Sequence, residues 1–271
     1  MINQSSKKDN SNSDTQAVNW QILLVEDNNI NQEVAKDMLI QMGCDVHIAI
    51  NGLEAVAVIE QKKFDLILMD CNMPELDGYT ATRKIRELER QQKKPNIPIL
   101  AFTTDAMPDI RERCFEAGMD DFLTKPLVFN DLQRMLKIWL ESQSIEVEKP
   151  VEINNKPHAT NNSIDLKVLN EMRQHLHADQ ATWLIELYLR ELPTYLTTIH
   201  DAITLQEGEN LYLTAHKFKG ASAILGAHRV VAVCKMLETL GRNQTFTETT
   251  ELFATLQKEC SYLEGALKMQ N

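Results

Sequence analysis

Five short apolar segments, separated by helix-like spacings of apolar residues, fill the first half of the chain. The segments are 22–25, 46–50, 66–69, 97–102 and 122–123. Strands that alternate with helices in this way predict a parallel, doubly wound sheet. We therefore expect residues 20–141 to form an α/β domain with a five-stranded parallel sheet of the flavodoxin-like kind.

The second half of the chain has only the helical spacing of apolar residues. Helices are predicted at 164–177, 179–206, 210–225, 228–240 and 247–269, with short breaks between them. Short connections between helices favour antiparallel neighbours in a bundle. Residues 164–271 are therefore predicted to form an all-α helical-bundle domain.

Two polar segments lie outside these patterns. Residues 1–19 are rich in Ser, Asn, Asp and Lys, which predicts a disordered tail. Residues 142–163 contain two prolines and four asparagines and lack apolar periodicity. We interpret this second segment as a flexible linker between the two domains.

Composition and charge narrow the class of protein. The 271 residues include 39 acidic and 28 basic side chains, and the formal net charge of −11 disfavours nucleic-acid binding. No segment reaches the roughly 20 apolar residues of a membrane helix, and the polar N-terminus does not resemble a signal peptide. Five scattered cysteines are typical of reduced thiols. We expect a cytoplasmic protein with no membrane partner.

Charged side chains follow three of the predicted strands. Glu26 and Asp27 follow the first strand, Asp70 ends the third, and Lys125 follows the fifth. Because the first and third strands end side by side at the switch point of such a sheet, their three carboxylates would share one pocket. Mutual repulsion favours a cation there, and oxygen ligands suit Mg²⁺. Lys125 and Thr103 would then contact the oxygens of a phosphoryl group.

These residues resemble the pattern of a response-regulator receiver domain. The resemblance covers residues 20–141 and rests on the acidic pair at 26–27, the segment DCNMPELDG at 70–78, Thr103 and the Lys125-Pro126 step. It implies that Asp70 is the phosphoacceptor and that Thr103 and Lys125 bind the phosphoryl group. It also implies that Mg²⁺ is held by Glu26, Asp27, Asp70 and the backbone carbonyl of Asn72.

Three features of this segment add further expectations. Thr104 stands where the family usually has a small residue, and its bulk predicts slow loss of the phosphoryl group to water. Phe122 occupies the position of the family's switch aromatic, where Tyr is usual, and it is either a switch residue or part of the core. The Lys125-Pro126 bond is a candidate for the cis form.

The chemistry predicted for the bundle lies in the segment 213–227. His216, Lys219 and Gly220 are spaced i, i+3 and i+4, so they share one helix face. Glycine costs about 1 kcal/mol in a helix relative to alanine. We interpret Gly220 as clearance that lets another protein approach an exposed His216 imidazole. Lys219 is placed to neutralise a phosphoryl group on that ring.

The same segment resembles the active helix of a histidine phosphotransfer (HPt) domain. The pattern H-x-x-K-G-x-S-x-x-x-G begins at His216 and ends at Gly226. The resemblance implies that His216 is phosphorylated on its ring. A phosphohistidine of this kind passes its phosphoryl group to an aspartate in the presence of Mg²⁺.

A receiver followed by an HPt domain resembles the C-terminal part of hybrid sensor histidine kinases. The predicted function is that of a phosphorelay intermediate without kinase activity of its own. Asp70 accepts a phosphoryl group from an upstream sensor histidine kinase, and His216 relays it to a downstream response-regulator receiver. Phosphorylation-dependent self-association is a further expectation.

Several alternatives stay open at this point. The chain could be the C-terminal fragment of a hybrid kinase, or a scaffold that keeps both folds without transferring a phosphoryl group. An aspartyl phosphatase could use Asp70 as nucleophile, although such enzymes usually have an acid where this chain has Asn72. A nucleotide-binding module is disfavoured because the first strand–helix loop has no glycine. Transfer from Asp70 to His216 within one molecule is feasible across a linker of this length.

Overall fold

The computed structural model describes residues 19–103, 108–141, 164–175 and 178–269. Residues 1–18 of the predicted tail at 1–19, Thr104 and the predicted linker at 142–163 lie outside the described residues. None of the helices within the described ranges is both long enough and apolar enough to cross a membrane.

Five parallel strands form one sheet in the order β2-β1-β3-β4-β5. They are β1 (Gln21–Val25), β2 (Asp45–Ala49), β3 (Leu66–Asp70), β4 (Ile99–Thr103) and β5 (Asp121–Thr124). Every residue of β3 and β4 is buried, as expected for central strands of a sheet that helices cover on both faces. The predicted doubly wound α/β domain is confirmed.

Helices connect the strands and close the sheet domain. They are α1 (Asn29–Gln41), α2 (Gly52–Gln61), α3 (Gly78–Gln92), α4 (Pro108–Ala117) and α5 (Phe129–Leu136), and α5 continues as a π-helical turn at Lys137–Glu141. The side chains of Asn28, Asn51 and Asp77 accept hydrogen bonds from backbone N–H groups at the starts of α1, α2 and α3. Asp77, which matches the receiver pattern, therefore acts as a helix cap.

The described residues from 164 to 269 form helices, as predicted. Its helices are α6 (Leu166–His175), α7 (Ala178–Thr204), α8 (Gly208–Ile224), α9 (His228–Arg242) and α10 (Thr249–Lys268). The ring of Phe218 in α8 is fully buried and stacks between Tyr188 and Tyr195 of α7, with centroid distances of 6.1 and 4.8 Å. This packing fixes α8 against the rest of the bundle.

Helix α1 joins the two domains. It contacts β1 and β2 on one side and α7 and α8 on the other. A single cluster of buried apolar residues runs from one face of the sheet through α1 into the bundle, and it includes Ile30, Leu39, Ile185 and Phe218. The carboxyl ends of the sheet strands and helix α8 are thereby placed next to each other.

Candidate functional site

Three carboxylates meet at the carboxyl ends of β1 and β3. One oxygen from each of Glu26, Asp27 and Asp70 lies within 4.8 Å of the other two. Val25 and Met69 are partners in the parallel ladder, so the residues that follow them emerge side by side. Glu26 and Asp70 are buried. The structure brings together the three side chains that the sequence placed in one pocket.

Lys125 lies between two of these carboxylates. Its Nζ is 2.6 Å from Oε2 of Glu26 and 2.6 Å from Oδ2 of Asp70. Burial by itself would lower the pKa of Lys125, but the charges of Asp70 and Glu26 raise it above its usual value. The side chain is therefore a permanent cation beside the predicted phosphoacceptor. The Lys125-Pro126 peptide bond is cis.

The carboxylate cluster fits a divalent cation with oxygen ligands. Burial raises the pKa of Glu26 to about 8; the charge of Lys125 opposes this rise, and Asp70 and Asp27 add to it. Burial also raises the pKa of Asp27. Oε2 of Glu26 and Oδ2 of Asp27 are buried, and each is paired with a lysine: Nζ of Lys125 lies 2.6 Å from Oε2 of Glu26, and Nζ of Lys217 lies 2.7 Å from Oδ2 of Asp27. A bound divalent cation would offset the repulsion among the three buried carboxylates, and oxygen ligands of this kind suit Mg²⁺.

Thr103 and Phe122 lie on the two strands beyond β3. Thr103 is buried at the end of β4, and its carbonyl oxygen accepts a hydrogen bond of 2.8 Å from the backbone N–H of Lys125. Phe122 packs partly against the core, and the guanidinium of Arg111 lies 4.9 Å from its ring centroid. Both roles that the sequence left open for Phe122, switch and core, therefore stay open.

In the bundle, Glu238 of α9 binds both His216 and Lys219. Its Oε1 lies 2.7 Å from Nδ1 of His216, and its Oε2 accepts a hydrogen bond of 2.5 Å from Nζ of Lys219. Burial alone would raise the pKa of Glu238, but the hydrogen bonds and charges of His216 and Lys219 lower it to about 2. Because an ionised carboxylate only accepts hydrogen bonds, Nδ1 carries a proton, and in the neutral form of the ring this tautomer leaves the lone pair on Nε2.

The prediction of an exposed His216 imidazole is wrong for this arrangement of the domains. The residue is only 3% exposed. Glu238 covers one ring nitrogen, and the receiver domain covers the side that carries Nε2. Lys219 is also buried, and its Nζ is bound to Glu238.

The bundle meets the receiver at the carboxylate cluster. Nδ2 of Asn72 lies 3.5 Å from Nε2 of His216, and Oδ1 of Asn72 accepts a hydrogen bond of 3.0 Å from the hydroxyl of Tyr212. Nζ of Lys217 lies 2.7 Å from Oδ2 of Asp27. Tyr212 and Lys217, which flank His216 on α8, thus contact the residues next to the predicted phosphoacceptor and one of the predicted metal ligands.

Gly220 lies where α8 packs against α1. A Cβ atom at this position would be 3.2 Å from Nδ2 of Asn31, and the nearest heavy atoms to it all belong to Asn31. Next to this contact, Nδ2 of Asn28 donates a hydrogen bond of 3.0 Å to the carbonyl oxygen of Lys217. The absence of a side chain at Gly220 lets the receiver come close, which supports the clearance suggested from the sequence.

Sequence reasoning missed Glu238, Tyr212 and Lys217. One signal for Glu238 was present, because it lies on the buried stripe of α9 with Val230, Cys234 and Gly241, where an acidic residue is unusual. Tyr212 and Lys217 carry no such signal. Their partners lie more than 100 residues away, and only the packing of the two domains brings them together.

Comparison with known proteins identifies both halves of the chain. The family model of the response regulator receiver domain matches residues 22–137, and that of the Hpt domain matches residues 184–266. Sensor protein GacS of Pseudomonas syringae pv. syringae is 28% identical over 256 residues, which are 92% of this chain and 27% of GacS. Aerobic respiration control sensor protein ArcB of Escherichia coli K12 is 26% identical over 219 residues, which are 80% of this chain and 27% of ArcB.

Solved structures resemble parts of the chain. The receiver domain of sensor histidine kinase PA1611 from Pseudomonas aeruginosa, with a magnesium ion in its active-site cleft, is 45% identical; the match covers 46% of this chain and 99% of that domain, with a TM-score of 0.42. A chain from the Saccharomyces cerevisiae complex of Ypd1 with the Ssk1 receiver domain is 29% identical, covering 47% of this chain and 92% of that one, with a TM-score of 0.45.

The chain spans about a quarter of the length of GacS and ArcB, the two curated relatives named above. Its two family matches follow each other in the order that the sequence motifs predict. The chain therefore consists of a response regulator receiver domain followed by an Hpt domain.

Proposed function

We propose that the chain is an intermediate of a multistep phosphorelay in which Asp70 accepts a phosphoryl group and His216 takes it next. One observation carries this proposal. The backbone N–H of Asn72 donates a hydrogen bond of 3.1 Å to Oδ1 of Asp70, while the side chain of the same residue contacts Nε2 of His216. The two reactive groups thus lie on either side of one residue.

In the first step, which requires the bundle to be away from the receiver because Asp70 is buried in the docked arrangement, a carboxylate oxygen of Asp70 attacks the phosphorus of a phosphohistidine on an upstream sensor histidine kinase. A phosphorus–oxygen bond forms, and the phosphorus–nitrogen bond of the donor breaks, with its electron pair returning to the donor ring. Lys125 has its ammonium beside Asp70 and stabilises the charge of the phosphoryl oxygens. Thr103, at the end of the neighbouring strand, offers its hydroxyl to the same oxygens.

In the second step, Nε2 of His216 attacks the phosphorus of the acyl phosphate. The new phosphorus–nitrogen bond replaces the bond to Asp70, whose carboxylate leaves with the electron pair. The imidazole becomes cationic because Nδ1 keeps its proton. Glu238 stabilises this cation through the 2.7 Å contact to Nδ1, and Lys219 keeps Glu238 in place.

A Mg²⁺ ion would be held by Glu26, Asp27, Asp70 and the backbone carbonyl of Asn72. When bound, it would neutralise charge on the phosphoryl oxygens during transfer. The burial and clustering of the three carboxylates support this assignment.

The partners in this proposal are an upstream sensor histidine kinase and a downstream response-regulator receiver. The kinase is either a separate protein or another part of a longer hybrid kinase, since the relatives are about four times as long as the matched region. The downstream receiver takes the phosphoryl group from His216 after the bundle has left its own receiver, because the docked imidazole is buried. Phosphorylation-dependent self-association stays a prediction.

Labelling of three chains by a radiolabelled histidine kinase tests the proposed function. With Mg²⁺, the wild-type chain is expected to become labelled, and Asp70→Asn is expected to stay unlabelled because it lacks the accepting carboxylate. His216→Gln is expected to hold its label as a base-labile acyl phosphate. Chelation of Mg²⁺ is expected to prevent labelling of the wild type and of His216→Gln.

Two results would contradict the proposal. Labelling of Asp70→Asn at the wild-type rate would show that Asp70 is not the acceptor. Equal amounts of base-stable label on the wild type and on His216→Gln would remove His216 from the route.

A further inference from the structure

A series of hydrogen bonds connects the bundle to the receiver, and the donor and acceptor of each bond can be assigned. The guanidinium of Arg242 lies over the ring of Tyr212, 4.9 Å from the centroid, and its Nη2 donates a hydrogen bond of 3.1 Å to the tyrosine hydroxyl. Because arginine only donates, the tyrosine hydroxyl uses its own proton for Oδ1 of Asn72, at 3.0 Å. The acceptor end of the Asn72 amide therefore faces Tyr212.

The donor end of the same amide consequently faces the reactive nitrogen of His216. With Oδ1 assigned to Tyr212, the group 3.5 Å from Nε2 is the NH₂ of Asn72. Glu238 holds a proton on Nδ1, so in the neutral form of the ring, which is the form that attacks phosphorus, Nε2 presents a lone pair to that NH₂. Each donor in this series of contacts faces an acceptor, and Nε2 of His216 faces the side chain of Asn72.

We propose that the bundle docks on the receiver of its own chain and that Asn72 is the positioning residue that aligns His216 for transfer from Asp70. This inference rests on the proposed function and names the partner of its second step. When Asp70 is phosphorylated, its phosphoryl group would lie next to Asn72, and the Asn72 NH₂ would donate a hydrogen bond to a phosphoryl oxygen. Tyr212 acts through Asn72 by holding its amide in the required orientation.

Other contacts at this interface stabilise the docking of the bundle on the receiver. The Lys217–Asp27 ion pair and the hydrogen bond from Asn28 to the Lys217 carbonyl lie beside the imidazole. Gly220 leaves the space that Asn31 needs. These contacts place α8 on the receiver, and Asn72 then sets the position of the ring.

Docking within one chain is favoured by the short separation of the domains in sequence. Twenty-two residues, 142–163, separate the described ends of the receiver and the bundle. A segment of this length spans up to about 75 Å when extended. Tethering of this kind gives effective concentrations in the millimolar range, well above ordinary protein concentrations. The bundle therefore meets its own receiver more often than that of another molecule.

The dependence of the transfer rate on protein concentration tests docking within one chain. The full chain is labelled on Asp70, and the appearance of label on His216 is followed by rapid quenching. The rate constant is expected to be independent of protein concentration. A mixture of labelled His216→Gln with Asp70→Asn is expected to transfer more slowly, at a rate that rises with concentration. A wild-type rate that rises in the same way would overturn the proposal.

Three variants test the role of Asn72. Asn72→Ala and Tyr212→Phe are each expected to slow transfer from Asp70 to His216 by about 3- to 10-fold, the value of one hydrogen bond. The double variant is expected to be no slower than Asn72→Ala, because the tyrosine acts through the amide. Tyr262→Phe, which removes an exposed hydroxyl from α10, serves as the control and is expected to transfer at the wild-type rate. Additive losses, or no loss in Tyr212→Phe, would overturn the role of Asn72.

A measurement without phosphate separates this proposal from the proposed function. In the unphosphorylated chain, Tyr212→Phe is expected to shift the side-chain NH₂ resonances of Asn72, whereas Tyr262→Phe leaves them in place. If these shifts appear and His216 is never labelled, docking holds and the phosphorelay proposal fails. If His216 is labelled and the shifts are absent, the phosphorelay proposal holds and the role of Asn72 fails.

Discussion

Replacement of Lys125 by methionine is expected to stop phosphorylation of Asp70 and to lower the free energy of unfolding of the receiver by about 3–5 kcal/mol. The substitution leaves Glu26 and Asp70 buried without their cation, which is the costly way to break a buried ion pair. Urea denaturation measures the loss of stability, and labelling by a histidine kinase measures the loss of phosphorylation.

Lys84→Met is the matched control, because Lys84 is exposed on α3 and is not part of the carboxylate cluster. This variant is expected to unfold within about 0.5 kcal/mol of the wild type and to be labelled normally. If Lys125→Met is as stable as the control, the ion pairs of Lys125 do not stabilise the fold. If it is also labelled at the wild-type rate, Lys125 has no role in binding the phosphoryl group.

Replacement of Gly220 by glutamine is expected to slow transfer from Asp70 to His216 by about 10- to 100-fold, the effect of 1–3 kcal/mol of overpacking at the interface. A Cβ atom would already lie 3.2 Å from Asn31, and the rest of the side chain would push the receiver away from α8. The bundle itself is expected to stay at least as stable, because Gln gains roughly 0.5–1 kcal/mol over Gly in a helix. Rapid-quench transfer and urea denaturation measure the two effects.

Gly265→Gln is the control for these two effects, slower transfer and a more stable helix. Gly265 lies in α10, and a Cβ atom there would meet nothing within 4 Å. The control is expected to gain the same helix stability and to transfer at the wild-type rate. Normal transfer in Gly220→Gln would contradict the role of Gly220 as clearance, and a loss of stability would point to a packing role within the bundle.

The sequence predicted the architecture and the receiver pocket because both depend on local patterns. The apolar run that ends at Asp70 specifies a buried strand, and a parallel sheet brings the ends of neighbouring strands to one edge. The sequence alone therefore predicted a shared pocket for Glu26, Asp27 and Asp70. The spacing of His216, Lys219 and Gly220 likewise needed only the period of a helix.

The environment of His216 could not be predicted in this way. Glu238 lies on another helix, and its approach to His216 depends on how α8 and α9 pack. The burial of the imidazole depends on the receiver, whose Asn72 is 144 residues away in sequence. Patterns of three or four residues carry no information about contacts over such separations. The sequence therefore predicted that His216 is phosphorylated, but it could not predict which residues surround the ring.

The central claim is that one phosphoryl group passes from Asp70 to His216. A rapid-quench time course on the wild-type chain, after a short pulse from a radiolabelled histidine kinase, tests it most directly. The account predicts that base-labile label on Asp70 rises first and then falls, while base-stable label on His216 appears after a lag and in matching amount. Label that appears on His216 without a lag, or that leaves Asp70 only as free phosphate, would contradict the account.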